Sequence, residues 1–164
     1  MSNAIDNVIS VKLEDLSTPS STAQYPLGHE VSIIDSNGIL QTYKYVKAAA
    51  GLTAGGAYVI EPDLTAVRKT AVPATSAVAK EFGFAPVAFT INYYGFLLVE
   101  GKITNAASAG ATASGNTCSL ANGVITVTDE TGAVETAKTV GILGTTAIGA
   151  GTVTVLVKRK SVTI

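Results

Sequence analysis

His29 and Cys118 are the single histidine and the single cysteine of this chain, and they are its best candidates for nucleophilic or metal chemistry. A Cys–His pair reacts only where a third group orients the imidazole and a positive environment holds the thiolate. The residues around neither position supply these. Zinc and related metals require several His, Cys or carboxylate ligands at short spacing, and one His with one Cys does not make such a set. His29 therefore reads as a turn or strand-start residue and Cys118 as a small apolar strand residue. Asp35-Ser36-Asn37-Gly38 opens like a calcium loop but lacks the glutamate that closes one. It reads instead as a turn, as does Asp129-Glu130-Thr131-Gly132. The carboxylates Glu61, Asp63, Glu81, Glu100, Asp129, Glu130 and Glu135 include no pair marked by context as the rigid couple, about 5–10 Å apart, that glycoside hydrolysis needs. Asp6, Glu14 and Asp15 fall in an N-terminal arm. The glycine-rich stretches at 51–56 and 141–151 lack the strand–glycine–helix order of a phosphate loop. The expectation is no enzyme, no catalytic or metal-binding residue and no cofactor.

The elements that would position any site are β-strands. With 164 residues, 47% hydrophobic, 6% aromatic and 14% charged, the chain can bury a core made mostly of small and β-branched side chains. Mean hydropathy is +0.38, yet no apolar run approaches the roughly 18 residues of a membrane helix. A net charge of −1 argues against nucleic acid, and Lys158-Arg159-Lys160 reads as a solvated strand end. One cysteine excludes an internal disulfide. No basic segment followed by an apolar core opens the chain, so no secretory signal is expected. So hydrophobic a chain with so few charges is expected to cover surface by oligomerisation or by docking on a larger body.

Turn signals divide the chain. Asp35-Ser36-Asn37-Gly38 separates Val31–Ile34 from Ile39–Lys47, Pro62-Asp63 separates Ala57–Glu61 from Ala66–Thr70, and Asn122-Gly123 separates Asn116–Ala121 from Val124–Thr128. Tyr94–Ile103 is the strongest strand, with Phe96, Leu98 and Glu100 on one face and Leu97 and Val99 on the other. Pro86–Ile91 reads as a short strand, Ala106–Gly115 as a loop, and Ala133–Leu143 and Thr152–Val157 as closing strands. The one helical expectation falls near residues 75–82. The segments 53–60 and 113–120 match in pattern at a shift of 60 positions, Leu64–Ala71 and Val124–Thr131 continue in register, and Gly95–Lys102 resembles Thr152–Arg159 at a shift of 57. The expected fold is all-β: a small sandwich or barrel made of two similar β units, with an extended N-terminal arm.

Residues 1–27 form that arm and its linker, and residues 28–164 the β domain. The arm carries Ile5, Val8, Ile9, Val11, Leu13 and Leu16 ahead of the polar stretch 17–24. These apolar residues would serve to dock the arm, which fully extended reaches roughly 80 Å. Tyr93 and Tyr94 point to opposite faces of a strand, so one is available as an interface anchor.

The pattern Gly28-His29-Glu30-Val31, Asn37-Gly38, Tyr43-Lys44-Tyr45-Val46-Lys47-Ala48 and the Leu-x-Ala-Gly turn at 52–55 resembles head decoration, or capsid-stabilising (cement), proteins of tailed bacteriophages. So do Tyr94-Gly95-Phe96-Leu97-Leu98-Val99-Glu100-Gly101 and the closing Val140-Gly141-Ile142-Leu143. The likeness covers roughly residues 28–157 and rests on glycine turns and strand patterns. It implies a structural virion protein on the capsid exterior, present in host cytoplasm during assembly. Its implied partner is the major capsid protein, and its implied state a homo-oligomer, with a trimer favoured. It implies no nucleic-acid or membrane partner and no catalytic residue. The competing reading is a phage head-fibre or surface-adhesion binding module, against which few aromatics and no tryptophan weigh.

Overall fold

A computed structural model of the chain describes residues 11–67, 79–108, 110–111, 113–120, 127–130, 139–144, 151–157 and 161–163. The described residues form one short 3₁₀ helix, Leu13–Ser17, and eleven strands: β1 (Glu30–Ile34), β2 (Leu40–Ala48), β3 (Ala57–Ile60), β4 (Thr65–Val67), β5 (Ala79–Phe84), β6 (Tyr94–Ser108), β7 (Thr117–Leu120), β8 (Val127–Glu130), β9 (Thr139–Leu143), β10 (Gly151–Val157) and β11 (Ser161–Thr163). The all-β expectation holds.

Turn chemistry explains the first hairpin. Asp35 Oδ1 accepts from the backbone N–H groups of Asn37 (2.8 Å) and Ile39 (2.9 Å), and Gly38 takes φ +77°. This hairpin sets β1 antiparallel to β2 with Ile34 opposite Leu40. At the second hairpin Asp63 Oδ1 accepts from the Thr65 N–H and hydroxyl, and β3 pairs antiparallel with β4.

Closure comes from longer-range pairings. β2 runs parallel to β4; β4 pairs antiparallel with β3, β3 with β5, β5 with β6, and β6 with β2. These five strands close a barrel. The same pattern then recurs. β6 runs parallel to β8, and antiparallel pairings link β8 to β7, β7 to β9, β9 to β10 and β10 back to β6. The two rings share β6, whose Tyr94–Glu100 portion pairs with β2 and whose Gly101–Ser108 portion pairs with β10. Gly101 lies at the changeover with φ +120°. A Cβ there would lie 2.8 Å from the Leu40 carbonyl oxygen, so only glycine fits. The repeat seen in the sequence is thus a repeat of topology: shifting β3 by 60 positions lands on β7, and shifting the start of β6 by 57 lands on the start of β10.

Apolar residues sort by strand face. Val46, Ala48, Tyr58, Ile60, Ala66, Leu97 and Val99 form the interior of the first barrel, closed by Leu52, Ala85 and Phe89. Ala57, Val59, Phe82, Phe84 and Leu98 turn the other way, onto Val153, Val155 and Val157 of β10. Phe96 and Tyr45 face the N-terminal segment. Both faces of β6 are therefore buried from Gly95 to Val99, where the sequence alternation suggested simply two faces of one strand.

Several local expectations are corrected. Residues 79–82 of the expected helix belong to β5; the remainder, 75–78, lies outside the described residues. Pairing with β3 decides this, because it buries Phe82 and Phe84 on one face while Gly83 admits Leu97 on the other. Pro86–Ile91 forms only an isolated bridge, Leu52 to Phe89. β6 continues through Ala106–Ser108, held by β10, where a loop was expected. Asp129 and Glu130 are strand residues in β8, paired with Cys118 and Thr117, and not a turn. Asn122-Gly123 and Lys158-Arg159-Lys160 lie outside the described residues, although β7 and β8 do pair as a hairpin.

Candidate functional site

Residues 11–27 lie on the body as a strap. Its 3₁₀ turn forms at Leu13–Ser17, with Glu14 and Asp15 early in the turn and the Asp15 carboxylate accepting from the Lys12 N–H at 3.3 Å. This aims Leu16, 7% exposed, onto Tyr45 and Phe96, with Val11 beside it. Ser20 and Tyr94 exchange two backbone hydrogen bonds of 2.9 and 2.8 Å, and the Gln24 N–H donates to the Tyr45 hydroxyl at 3.0 Å. Tyr25 completes the clamp. Its hydroxyl donates to Asp15, and its ring packs edge-on against Tyr45 and near Phe96. The hydrogen bond to Asp15, followed by burial, raises Tyr25 above its ordinary pKa.

The arm residues named from the sequence therefore divide. Leu16 and Val11 pack on the chain's own body, Leu13 is 71% exposed, and Ile5, Val8 and Ile9 lie outside the described residues. Within residues 11–16, Val11 and Leu16 thus take the aromatic face of β2 and β6 as their apolar partner. Of the two tyrosines, Tyr94 is engaged internally: it stacks on Tyr45 at 6.4 Å with Lys47 Nζ 5.7 Å from its ring centre. Tyr93 is half-buried and holds Ala48 through its carbonyl oxygen.

Sequence reasoning missed the exposed apolar pair Ile34 and Leu40, 72% and 52% exposed and directly opposed across the β1–β2 hairpin. Both had been read only as strand residues flanking a turn. β1 pairs only with β2 among the described residues. At the opposite end of β1, Lys44 Nζ bridges Glu81 (2.5 Å) and Glu30 (3.3 Å), tying β1 and β2 to β5. This ionic clamp is mostly buried and serves register.

His29 precedes β1, whereas Cys118 lies on β7. His29 is half-buried and stacked on the Tyr25 ring at 5.8 Å. Cys118 lies in β7 of the second ring, and its side chain is outside what is described. Among the described residues no three His, Cys, Asp or Glu side chains gather as a metal site, and no helix is long and apolar enough to cross a membrane. No protein-family model matches the chain, and no curated protein matches it.

Proposed function

We propose that this chain is a capsid decoration protein that docks on the outer surface of a tailed-phage shell and stabilises it. The observation that supports the reading most is the hairpin end of β1 and β2. Ile34 and Leu40 project there, opposed to each other, beside an edge strand that lacks a second neighbour among the described residues. Apolar side chains beside free strand edges are costly in a lone protein and useful in an assembled one. The sequence likeness to decoration proteins supports the same reading. So does the strap, which seats residues 11–27 on the body directly after the apolar Ile5, Val8 and Ile9 in the sequence.

In this reading the partner is the major capsid protein, the working unit is a homo-oligomer, a trimer by preference, and the location is the virion exterior after a period in host cytoplasm. Many copies binding the closed shell raise its stability by mass action. The test is sedimentation of the full chain with undecorated capsids, followed by heating. The wild-type protein co-sediments and raises the temperature of capsid rupture, whereas Ile34→Asp/Leu40→Asp, checked for folding by circular dichroism, does neither. Failure of the wild-type chain to bind any tailed-phage shell, or full binding by the double variant, overturns the reading. Deletion of residues 1–10 separates the arm from the hairpin while leaving Leu16 on Phe96.

A further inference from the structure

Beside the β1–β2 hairpin, where β6 passes from one ring to the other, the surface opens into a cleft of about 390 Å³. Its volume lies within the roughly 300–1,000 Å³ range of small-molecule sites. Its lining includes the apolar Pro86, Leu98 and Ile103, the last two only 2% and 5% exposed. Part of the polar lining is held in place. Gln41 Nε2 donates to Asp35 Oδ2 and to the Lys102 carbonyl oxygen, both at 3.3 Å, and its Oε1 accepts from the Tyr43 hydroxyl at 2.5 Å. Asp35 is in turn anchored by the hairpin backbone. An amide fixed at both ends cannot rotate, so it presents one face to the cleft without an ordering cost on binding.

The charge of the lining narrows the ligand. Among the described residues of the wall, Asp35 and Lys102 are the two charged ones and offset each other; the proximity of Lys102 is one reason the Asp35 carboxyl is held low, after its hydrogen bonds from Ile39 and Asn37. The rest of the polar lining is amide or hydroxyl, and Thr104 and Asn105 make no side-chain hydrogen bond to other described residues. A cleft whose described wall carries one charge of each sign, with apolar side chains beside amides and hydroxyls that both donate and accept, suits a pyranose ring, which has a C–H face and a hydroxyl edge.

We propose that this cleft binds a neutral sugar of one or two pyranose rings, with Asn37, Thr104 and Asn105 contacting hydroxyls and Leu98 and Ile103 meeting the ring face. The proposal does not depend on capsid docking and concerns the free chain.

It is tested by amide-resolved NMR on the isotope-labelled full chain, titrated with millimolar D-glucose, D-galactose, D-mannose and N-acetyl-D-glucosamine and their β-linked disaccharides. At least one sugar shifts the resonances of Asn37, Gln41, Lys102 and Asn105 in a saturable way. Asn37→Ala and Asn105→Ala each weaken that binding about tenfold, corresponding to about 1.4 kcal/mol. Asn37 is exposed at the hairpin tip, so its substitution leaves the fold intact and the variant spectrum confirms this. Leu13→Ser, on the strap, leaves binding unchanged. Absence of saturable shifts with every sugar, shifts located elsewhere, or wild-type affinity in both alanine variants overturns the proposal.

Discussion

The two rings follow one pairing diagram but are packed with different material. All six tyrosines and four phenylalanines of the chain lie between Tyr25 and Phe96, so the first ring and its strap hold every aromatic side chain. β10, the closing strand of the second ring, presents Val153, Val155 and Val157 to the shared core. Two glycines at equivalent positions show what that difference does. Gly55 and Gly115 are 60 positions apart and take nearly the same left-handed backbone, φ +76° and +87°. A Cβ on Gly55 would fall 1.8 Å from the Asn105 carbonyl oxygen, whereas one on Gly115 would meet nothing within 4 Å among the described residues. Among those residues the local turn is repeated and the close packing around it is not. Topology can therefore be inherited by a repeat through strand and turn pattern, while tight packing has to be built separately in each copy.

Paired substitutions test this contrast. The largest effect is expected for Gly55→Ala, where backbone strain adds to a collision with β6 that no rotamer relieves; a loss of about 4 kcal/mol or more is expected from urea unfolding. Gly55 also donates to the Ala85 carbonyl and accepts from the Ala107 N–H, so the chain has little room to shift. Next comes Phe96→Ala, fully buried under the strap, with an expected loss of about 3–5 kcal/mol. Val155→Ala, equally buried on β10, should cost about 2 kcal/mol because fewer atoms leave the core. Equal losses at these two positions would show that the shared core is packed uniformly.

Leu16→Ala should cost about 2 kcal/mol and should speed proteolysis within residues 11–27 without altering the body's circular dichroism, because the strap's buried apolar anchor is lost. Gly115→Ala should cost only about 1 kcal/mol, the strain of a left-handed alanine in open space. A loss there as large as at Gly55 would break the comparison between rings.

The smallest effect concerns pH and the half-buried Asp35. Its backbone hydrogen bonds from Ile39 and Asn37 hold its pKa below the ordinary aspartate value. A depressed carboxylate contributes stability that is fully present above the unfolded-state pKa, about 3.9, and is lost as pH falls through the lower folded value. The urea midpoint of Asp35→Ala should therefore lie below wild type at neutral pH, and the gap should narrow progressively below about pH 4. A gap independent of pH would assign the effect to the turn's shape alone.

What could be read without coordinates was the local and the periodic. Asp35 with Gly38, and Asp63 after Pro62, declare turns through φ preference and side-chain reach, and both hairpins form. The repeat at 60 and 57 positions was legible because equivalent strands require equivalent patterns of apolar residues and turn glycines. Residues 79–82 read as helical because an alanine-bearing stretch carries helix propensity, while their fate depends on β3 and β11, both distant in sequence. The cleft was invisible for a related reason. Gln41 and Asn105 are unremarkable polar residues in their own segments, and they share a wall only because β6 crosses beside the first hairpin. By itself the sequence determined the strand class, the turns and the twofold repetition, each set by interactions within a few residues. Only the tertiary structure decided that the two rings share one strand, that residues 11–27 fold back over Phe96, and which side chains meet. Those outcomes depend on pairings between distant segments, whose loop-closure entropy is offset only when the whole set of pairings forms together.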